Sequence, residues 1–256
     1  MVGDRSPEVA ELKIGPESLE FDLVDLESAT SRLMNPEMEG WQYVITPNLH
    51  HIQLLRQRRD LFPVYSGAGM LLADGWPVAA MLSRVSGTEV VRVAGSDLLE
   101  ALVDVDGQGR SLVLVGGEDQ SALDAVAERA ELAGWKVTTE PAPAAEVGDP
   151  ERRRALMTRI VDAGTGGIVV LGLGAPKQEI FAAELAQLDG RGFILCLGMA
   201  INFSAGRAVR APQWIRTMRM EWLHRALQEP ARLAPRYARD LSALIPTALS
   251  NYRSRS

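Results

Sequence analysis

The chain has 256 residues, 46% of them apolar, which supplies one substantial core and excludes a disordered chain. Its net charge of −6 argues against a general nucleic-acid binder, and its single cysteine, Cys196, excludes an intrachain disulfide and suits a reducing compartment. No apolar signal region opens the chain and no run approaches the ~18 apolar residues that span a bilayer, so the expectation is a cytoplasmic protein whose membrane contact is peripheral.

In chain order, residues 1–16 are polar with Gly and Pro and read as a flexible lead-in. From Trp41 short apolar runs alternate with amphipathic stretches. The runs W-Q-Y-V-I-T (41–46), S-L-V-L-V-G (111–116), G-I-V-V-L-G (167–172) and F-I-L-C-L-G (193–198) predict strands, and M-L-L-A-D-G (70–75) predicts a buried strand ending on an acid. Residues 119–133, 151–163 and 176–188 carry helical periodicity, with Leu123, Val126, Ala127 and Ala130 on one face of the first. The patch E-P-A-P-A-A-E (140–146) predicts a loop. Continuous apolar strands alternating with helices predict an α/β fold, a Rossmann-like parallel sheet covered by helices on both faces, over residues 17–206.

Residues 207–256 differ from the rest. They hold ten Arg, no Lys and three acids, a local charge of +7; against −6 overall, this leaves −13 for residues 1–206. Trp214, Met218, Trp222 and Leu227 lie among the Arg, and Leu233, Tyr237, Leu241 and Leu244 predict an apolar helical face. Pro212, Pro230, Pro235 and Pro246 punctuate what reads as short helices. Basic residues interleaved with apolar and aromatic ones suit a surface that meets anionic lipid or phosphate. The expectation is a mobile helical appendage that docks on a membrane and closes over a site.

Ligands of open parallel sheets bind beyond the carboxyl ends of the strands. Four such ends carry suggestive residues. Thr46-Pro47-Asn48 reads as a helix start, with Thr46 as cap and Pro47 at the first helical position. V-G-G-E-D (115–119) ends a strand on Gly116. G-L-G-A-P-K-Q-E (172–179) pairs Gly172 and Gly174 with Pro176 and Lys177, which suits a phosphate held at a helix N-terminus. It is neither a dinucleotide fingerprint, which needs Gly where Lys177 stands, nor a P-loop. Asp74 sits at the rim of the crevice, although a turn-forming Asp-Gly explains it as well. His50 and His51 fall in the first turns after Thr46, where either suits a base. His50, His51, His224 and Cys196 lack the spacing of a metal site, and Asp104-Val105-Asp106 reads as a solvated helix end.

Taken together, T-P-N (46–48), A-D-G (73–75), R-x-x-G-S-D-L (92–98), G-L-G-A-P-K-Q-E (172–179), R-A-P (210–212) and E-W-L-x-R-x-x-x-E-P-x-R-L-x-x-R-Y (221–237) resemble the WecG/TagA/CpsF glycosyltransferases, family 26 of the sequence classification. The resemblance runs from about Gly15 to Tyr237. It implies an inverting, metal-independent transferase without a cofactor. Its donor would be a UDP-sugar, typically UDP-N-acetylmannosamine. Its acceptor would be an undecaprenyl-diphosphate-linked glycan, typically carrying N-acetylglucosamine, used for exopolysaccharide or teichoic-acid-type polymers at the inner face of the cell membrane. It further implies Asp74 as catalytic base, Thr46 as its support and Gln178 as an active-site glutamine. Substrate binding would fall to Asn48, Gly116, Gly172, Gly174, Lys177, Glu179, Arg210, Arg225, Arg232 and Arg236. Asn202 stands where many members have Asp, and the family also includes glucosyl and uronosyl variants. The rivals are a nucleotide-dependent oxidoreductase and a non-catalytic membrane scaffold, and a homo-oligomer stays open.

Overall fold

The computed structural model describes residues 9–35, 39–207 and 230–253. Within them, six parallel strands form one sheet: β3 (Trp41–Ile45), β4 (Met70–Leu71), β5 (Ser111–Gly116), β6 (Lys136–Glu140), β7 (Gly167–Gly172) and β8 (Gly192–Cys196), in the order β4-β3-β8-β7-β5-β6. Period-two alternation sends successive side chains to opposite faces. Val113, Val115, Val169, Leu171 and Ile194 meet α2 (Leu49–Gln57), α8 (Pro150–Gly164) and α9 (Lys177–Leu185) on one face. Leu112, Leu114, Ile168, Val170 and Leu195 meet α1 (Leu26–Leu33), α5 (Gly95–Asp104) and α6 (Gln120–Leu132) on the other. Both faces are apolar because both are covered, which is why these strands read as unbroken apolar runs.

The expected strands and the helices at 119–133, 151–163 and 176–188 are all present within a few residues. Part of the lead-in is a strand, however. β1 (Val9–Ile14) pairs antiparallel with β2 (Glu17–Asp22), burying Ala10, Leu12 and Ile14 on one side. The hairpin joins the main sheet where Asp22 bridges Leu72 and its carboxylate accepts the Leu71 N–H at 3.1 Å. α3 (Phe62–Ser66) lies between α2 and β4, and α4 (Trp76–Ser86) between β4 and α5.

Beyond β8 the chain forms the short α10 (Ala200–Ser204), and α11 spans Pro230–Arg253. Pro235 and Pro246 lie inside α11 instead of ending short helices. Both are exposed, so water can meet the carbonyls they leave unpaired. The inward side of α11 is Asp240, Ala243, Leu244, Thr247 and Asn251, whereas Leu241, expected on the apolar face, points outward. The Asn251 amide accepts from the Lys13 N–H and donates to the Lys13 carbonyl, both at 2.9 Å, extending β1 with a side chain. Asp240 Oδ1 lies 2.9 Å from His50 Nδ1 on α2. The helix is thereby seated against β1, α2 and α4.

Candidate active site

The strand ends at one edge of the sheet converge on a crevice. β3 runs into buried Thr46, and α2 begins at Leu49. The cap of α2 is Asn48, not Thr46 as the sequence suggested. Its carboxamide oxygen accepts the His50 N–H at 3.0 Å, while the His51 ring accepts the Asn48 N–H at 3.1 Å, a reciprocal capping box that Thr46 and Pro47 do not provide. Thr46 is thus released to line the strand end, where a Cβ on Gly95 would come within 3.1 Å of its Oγ1.

Asp74 follows β4 beside it. Its N–H donates to the Pro47 carbonyl at 3.0 Å, and its Oδ2 accepts from Asn48 Nδ2 at 3.4 Å. The carboxylate is half-buried, open enough to meet a ligand yet tethered to α2. Ala73 accepts the Val93 N–H at 2.9 Å, which brings the segment of Arg92 alongside, and Arg92 lies 3.3 Å from Asp97 in the first turn of α5.

Further along the edge, β7 ends at Gly172, and the next four residues lead to α9, whose cap is Pro176. Gly174 has φ +77°, a conformation that disfavours any Cβ, and a Cβ built there meets open space. The α9 N-terminus carries no side-chain cap, and its Gln178 N–H turns back to the Gly174 carbonyl at 3.1 Å. Gln178 is buried, with its oxygen accepting the N–H of Gly174 (3.2 Å) and of Gly198 (3.0 Å) and its amide donating to Glu179 Oε1 (2.8 Å). It pins the loops after β7 and β8 to each other. Glu179, expected to touch substrate, is 0% exposed and instead faces Gln178 and His51, whose Nε2 is 3.4 Å from Glu179 Oε1. The Cys196 thiol is pushed well above its usual value, by burial first and the Glu179 charge second; Tyr65 is raised by the same two causes in the same order.

Beyond β7 the crevice opens into a cleft of about 370 Å³ between Gly116, Gly172 and Lys177 on one side and Ala142, Val147 and Arg153 on the other. Gly116 has φ +91° and lies so close to the Gly172 carbonyl that a Cβ would come within 2.9 Å of it. The Pro/Ala segment that the sequence marked only as a loop contains the short helix α7 (Ala144–Gly148) and is a wall of this cleft; Arg153, which also lines it, carried only the signal of a basic side chain at the start of a helix. Asn202 is buried and its amide meets Met199 Sδ at 3.6 Å. Its oxygen accepts the Glu118 N–H at 2.9 Å, bracing the loop after β5.

Asp104 and Asp106 lie at the far end of α5 from the crevice. Asp104 pairs with Arg129 at 3.2 Å and Asp106 caps a turn at the Gln108 N–H. Among the described residues no group of three or more His, Cys, Asp or Glu could hold a metal ion, and no helix is long and apolar enough to cross a membrane. His50 is engaged by Asp240 and His51 by Glu179. Arg210 and Arg225 fall outside the described residues, and Arg232 and Arg236 lie on α11 with side chains outside them.

From β4 to β5 the crevice passes four strand spacings, about 19 Å at roughly 4.8 Å each. A carboxylate stands at one end and a glycine loop with helix amides and a lysine toward the other. The fold and crevice define a Rossmann-like α/β protein whose strands' carboxyl ends line one open crevice. A family model described as the glycosyl transferase WecG/TagA/CpsF family matches residues 17–256, and the chain belongs to that family. It is accordingly a glycosyltransferase by membership, with a sugar donor and a glycan acceptor as its substrates.

Proposed function

We propose that the chain is an inverting glycosyltransferase that moves N-acetylmannosamine from a UDP donor to N-acetylglucosamine on an undecaprenyl-diphosphate carrier, in the synthesis of a cell-surface polymer. The observation that carries this reading is the position of Asp74 and the Gly174 loop on one crevice, three strands apart. An extended nucleotide-diphosphate-sugar with its sugar over β3 and β4 brings its diphosphate to the α9 N-terminus and Lys177, and its nucleoside to the cleft beside Ala142 and Val147.

The chemistry then has one displacement. The acceptor hydroxyl gives its proton to an Asp74 carboxylate oxygen as its own oxygen attacks the anomeric carbon. The bond from that carbon to the diphosphate oxygen breaks, and both electrons leave with UDP. Attack from the face opposite the leaving group inverts the configuration. The charge developing on UDP is met by the positive end of α9 and by Lys177, at the close approach the Gly174 loop allows, without a metal ion. Asn48 and the Pro47 carbonyl hold Asp74 in place, and Thr46 stands at the end of β3 as its supporting residue.

We further propose that residues 207–256 bring this crevice to the anionic membrane where the lipid-linked acceptor resides, closing over it during transfer. Leu241, Ile245 and Leu249 recur every fourth residue on α11 and are 48%, 67% and 52% exposed, an apolar stripe within the residues 207–256 whose net charge is +7. Each basic residue near an anionic surface contributes about 1 kcal/mol. A screen of UDP-sugars with a synthetic lipid-diphosphate-N-acetylglucosamine acceptor tests the assignment. Release of UDP only with UDP-N-acetylmannosamine supports it. Release with UDP-glucose or a UDP-uronic acid instead reassigns the donor, and no release with any donor removes the reading.

A further inference from the structure

Glu179 poses a problem of burial. A carboxylate with no exposed surface is costly unless it is paired, and an apolar residue would serve α9 at that position without the cost. Among the described residues its Oε2 has no hydrogen-bond partner. Its Oε1 takes two partners: Gln178 Nε2 at 2.8 Å and His51 Nε2 at 3.4 Å. A carboxylate facing Nε2 favours the proton on that nitrogen, which leaves Nδ1 to accept the Asn48 N–H at 3.1 Å. Asn48 Oδ1 also lies 3.0 Å from Nδ1, but it already receives the His50 N–H at 3.0 Å.

These contacts form one continuous chain through two helices. It starts at Asp74, passes to the Asn48 side chain, from the Asn48 backbone to His51, from His51 to Glu179, and from Glu179 to Gln178. It ends on the N–H groups of Gly174 and Gly198. The carboxylate at one end of the crevice and the glycine loop at the other are thus tied through the buried side chains of His51, Glu179 and Gln178.

We infer that Glu179 and His51 are a positioning pair that sets the distance and orientation of Asp74 relative to the Gly174 loop. The inference rests on the glycosyl-transfer reading for its kinetic consequence, though not for its structural one. Neither residue carries out the reaction. The pair costs stability, and the return is a fixed geometry between the group that receives the proton and the groups that receive the negative charge. A displacement of about 1 Å between such groups costs on the order of 10²-fold in rate.

Three variants test the pair. Asn placed at 51 offers an acceptor where Nδ1 was but cannot reach Glu179, so His51→Asn keeps the capping box and cuts the link. Glu179→Met keeps the length and removes both the charge and the oxygen that accepts from Gln178 and His51. The double variant carries both. Each is judged by thermal unfolding, by UDP affinity, by steady-state transfer and by hydrogen exchange at the Gly174 and Gly198 amides. The expected result is folded protein whose kcat falls 10- to 100-fold while the donor KM changes less than threefold. The double variant should be no slower than the slower single one, because residues that act as a unit are not additive. Exchange at Gly174 and Gly198 should quicken at least tenfold in both single variants, while the amides of β5 and β7 stay as slow as in the parent. Unchanged exchange at those two glycines overturns the pair, whether or not the parent protein transfers sugar. Unchanged kcat in an active, folded variant overturns it too, as does a double variant whose loss is the product of the single losses. A parent protein that fails to transfer any sugar, with exchange altered as expected, overturns the glycosyl-transfer reading and leaves the pair standing as the tie between the two loops.

Discussion

Replacing Gly174 with Ala separates two reasons for a glycine at that position. The residue has φ +77°, and the left-handed conformation costs an L-residue about 1–2 kcal/mol. At roughly 2–4 °C per kcal/mol for a chain of this size, the melting temperature should fall by about 2–8 °C. The new Cβ would also project into open space, which in this loop is the crevice. Gly166 provides the control. It has φ +81° and open space as well, but it precedes β7 and lies at the opposite end of that strand. Gly166→Ala should show the same loss of melting temperature and an unchanged affinity for UDP. Gly174→Ala should weaken UDP binding at least tenfold, which corresponds to about 1.4 kcal/mol. Gly174→Val should weaken it further. Calorimetric titration with UDP and a thermal melt read both quantities. Equal UDP affinity in the Gly166 and Gly174 variants would refute the placement of the diphosphate at this loop.

Gln178→Met removes the acceptor for two partly buried N–H groups and the donor to fully buried Glu179, so it should destabilise by about 2–5 kcal/mol and raise the donor KM, as read from melts and initial rates. A melting temperature within 2 °C of the parent, where the expected loss exceeds about 4 °C, would contradict the role given to that amide. Transfer should survive dialysis against EDTA; a loss restored by Mg²⁺ would move attention to a metal site. Ile245→Asp should reduce flotation with anionic vesicles at low salt without changing the melting temperature by more than about 2 °C, since the side chain is 67% exposed. Equal flotation of parent and variant would remove α11 from the membrane surface.

What the sequence disclosed follows from how each element is buried. β5, β7 and β8 lie inside the sheet with helices on both faces, so composition alone marks them. β6 is the outer strand, and K-V-T-T-E carries half-buried Thr and Glu that resemble a loop. β1 alternates over only six residues, within a stretch whose Gly and Pro suggest no order. The places of Asp74, Gly116 and Gly174 at strand ends were legible because a strand end followed by glycine or acid is a local signal, whereas the role given to Asp74 came from the family resemblance. The tie between His51 and Glu179 was not, since it joins two helices far apart in sequence, and only the fold brings them together. The misplaced cap at Thr46 has a similar origin. Thr-Pro-Asn offers two acceptable caps, and the His51 ring decides in favour of Asn48.

The account depends most on Asp74 as the group that accepts the acceptor's proton. The direct test is transfer from UDP-N-acetylmannosamine to the lipid-linked acceptor by the parent protein and by Asp74→Asn, with product linkage assigned by NMR and UDP affinity measured on the same samples. The account predicts an inverted linkage from the parent, turnover lower by ~10²–10⁴ in the variant, and UDP affinity within twofold between them. A retained linkage, or near-normal turnover by the folded variant, would contradict it.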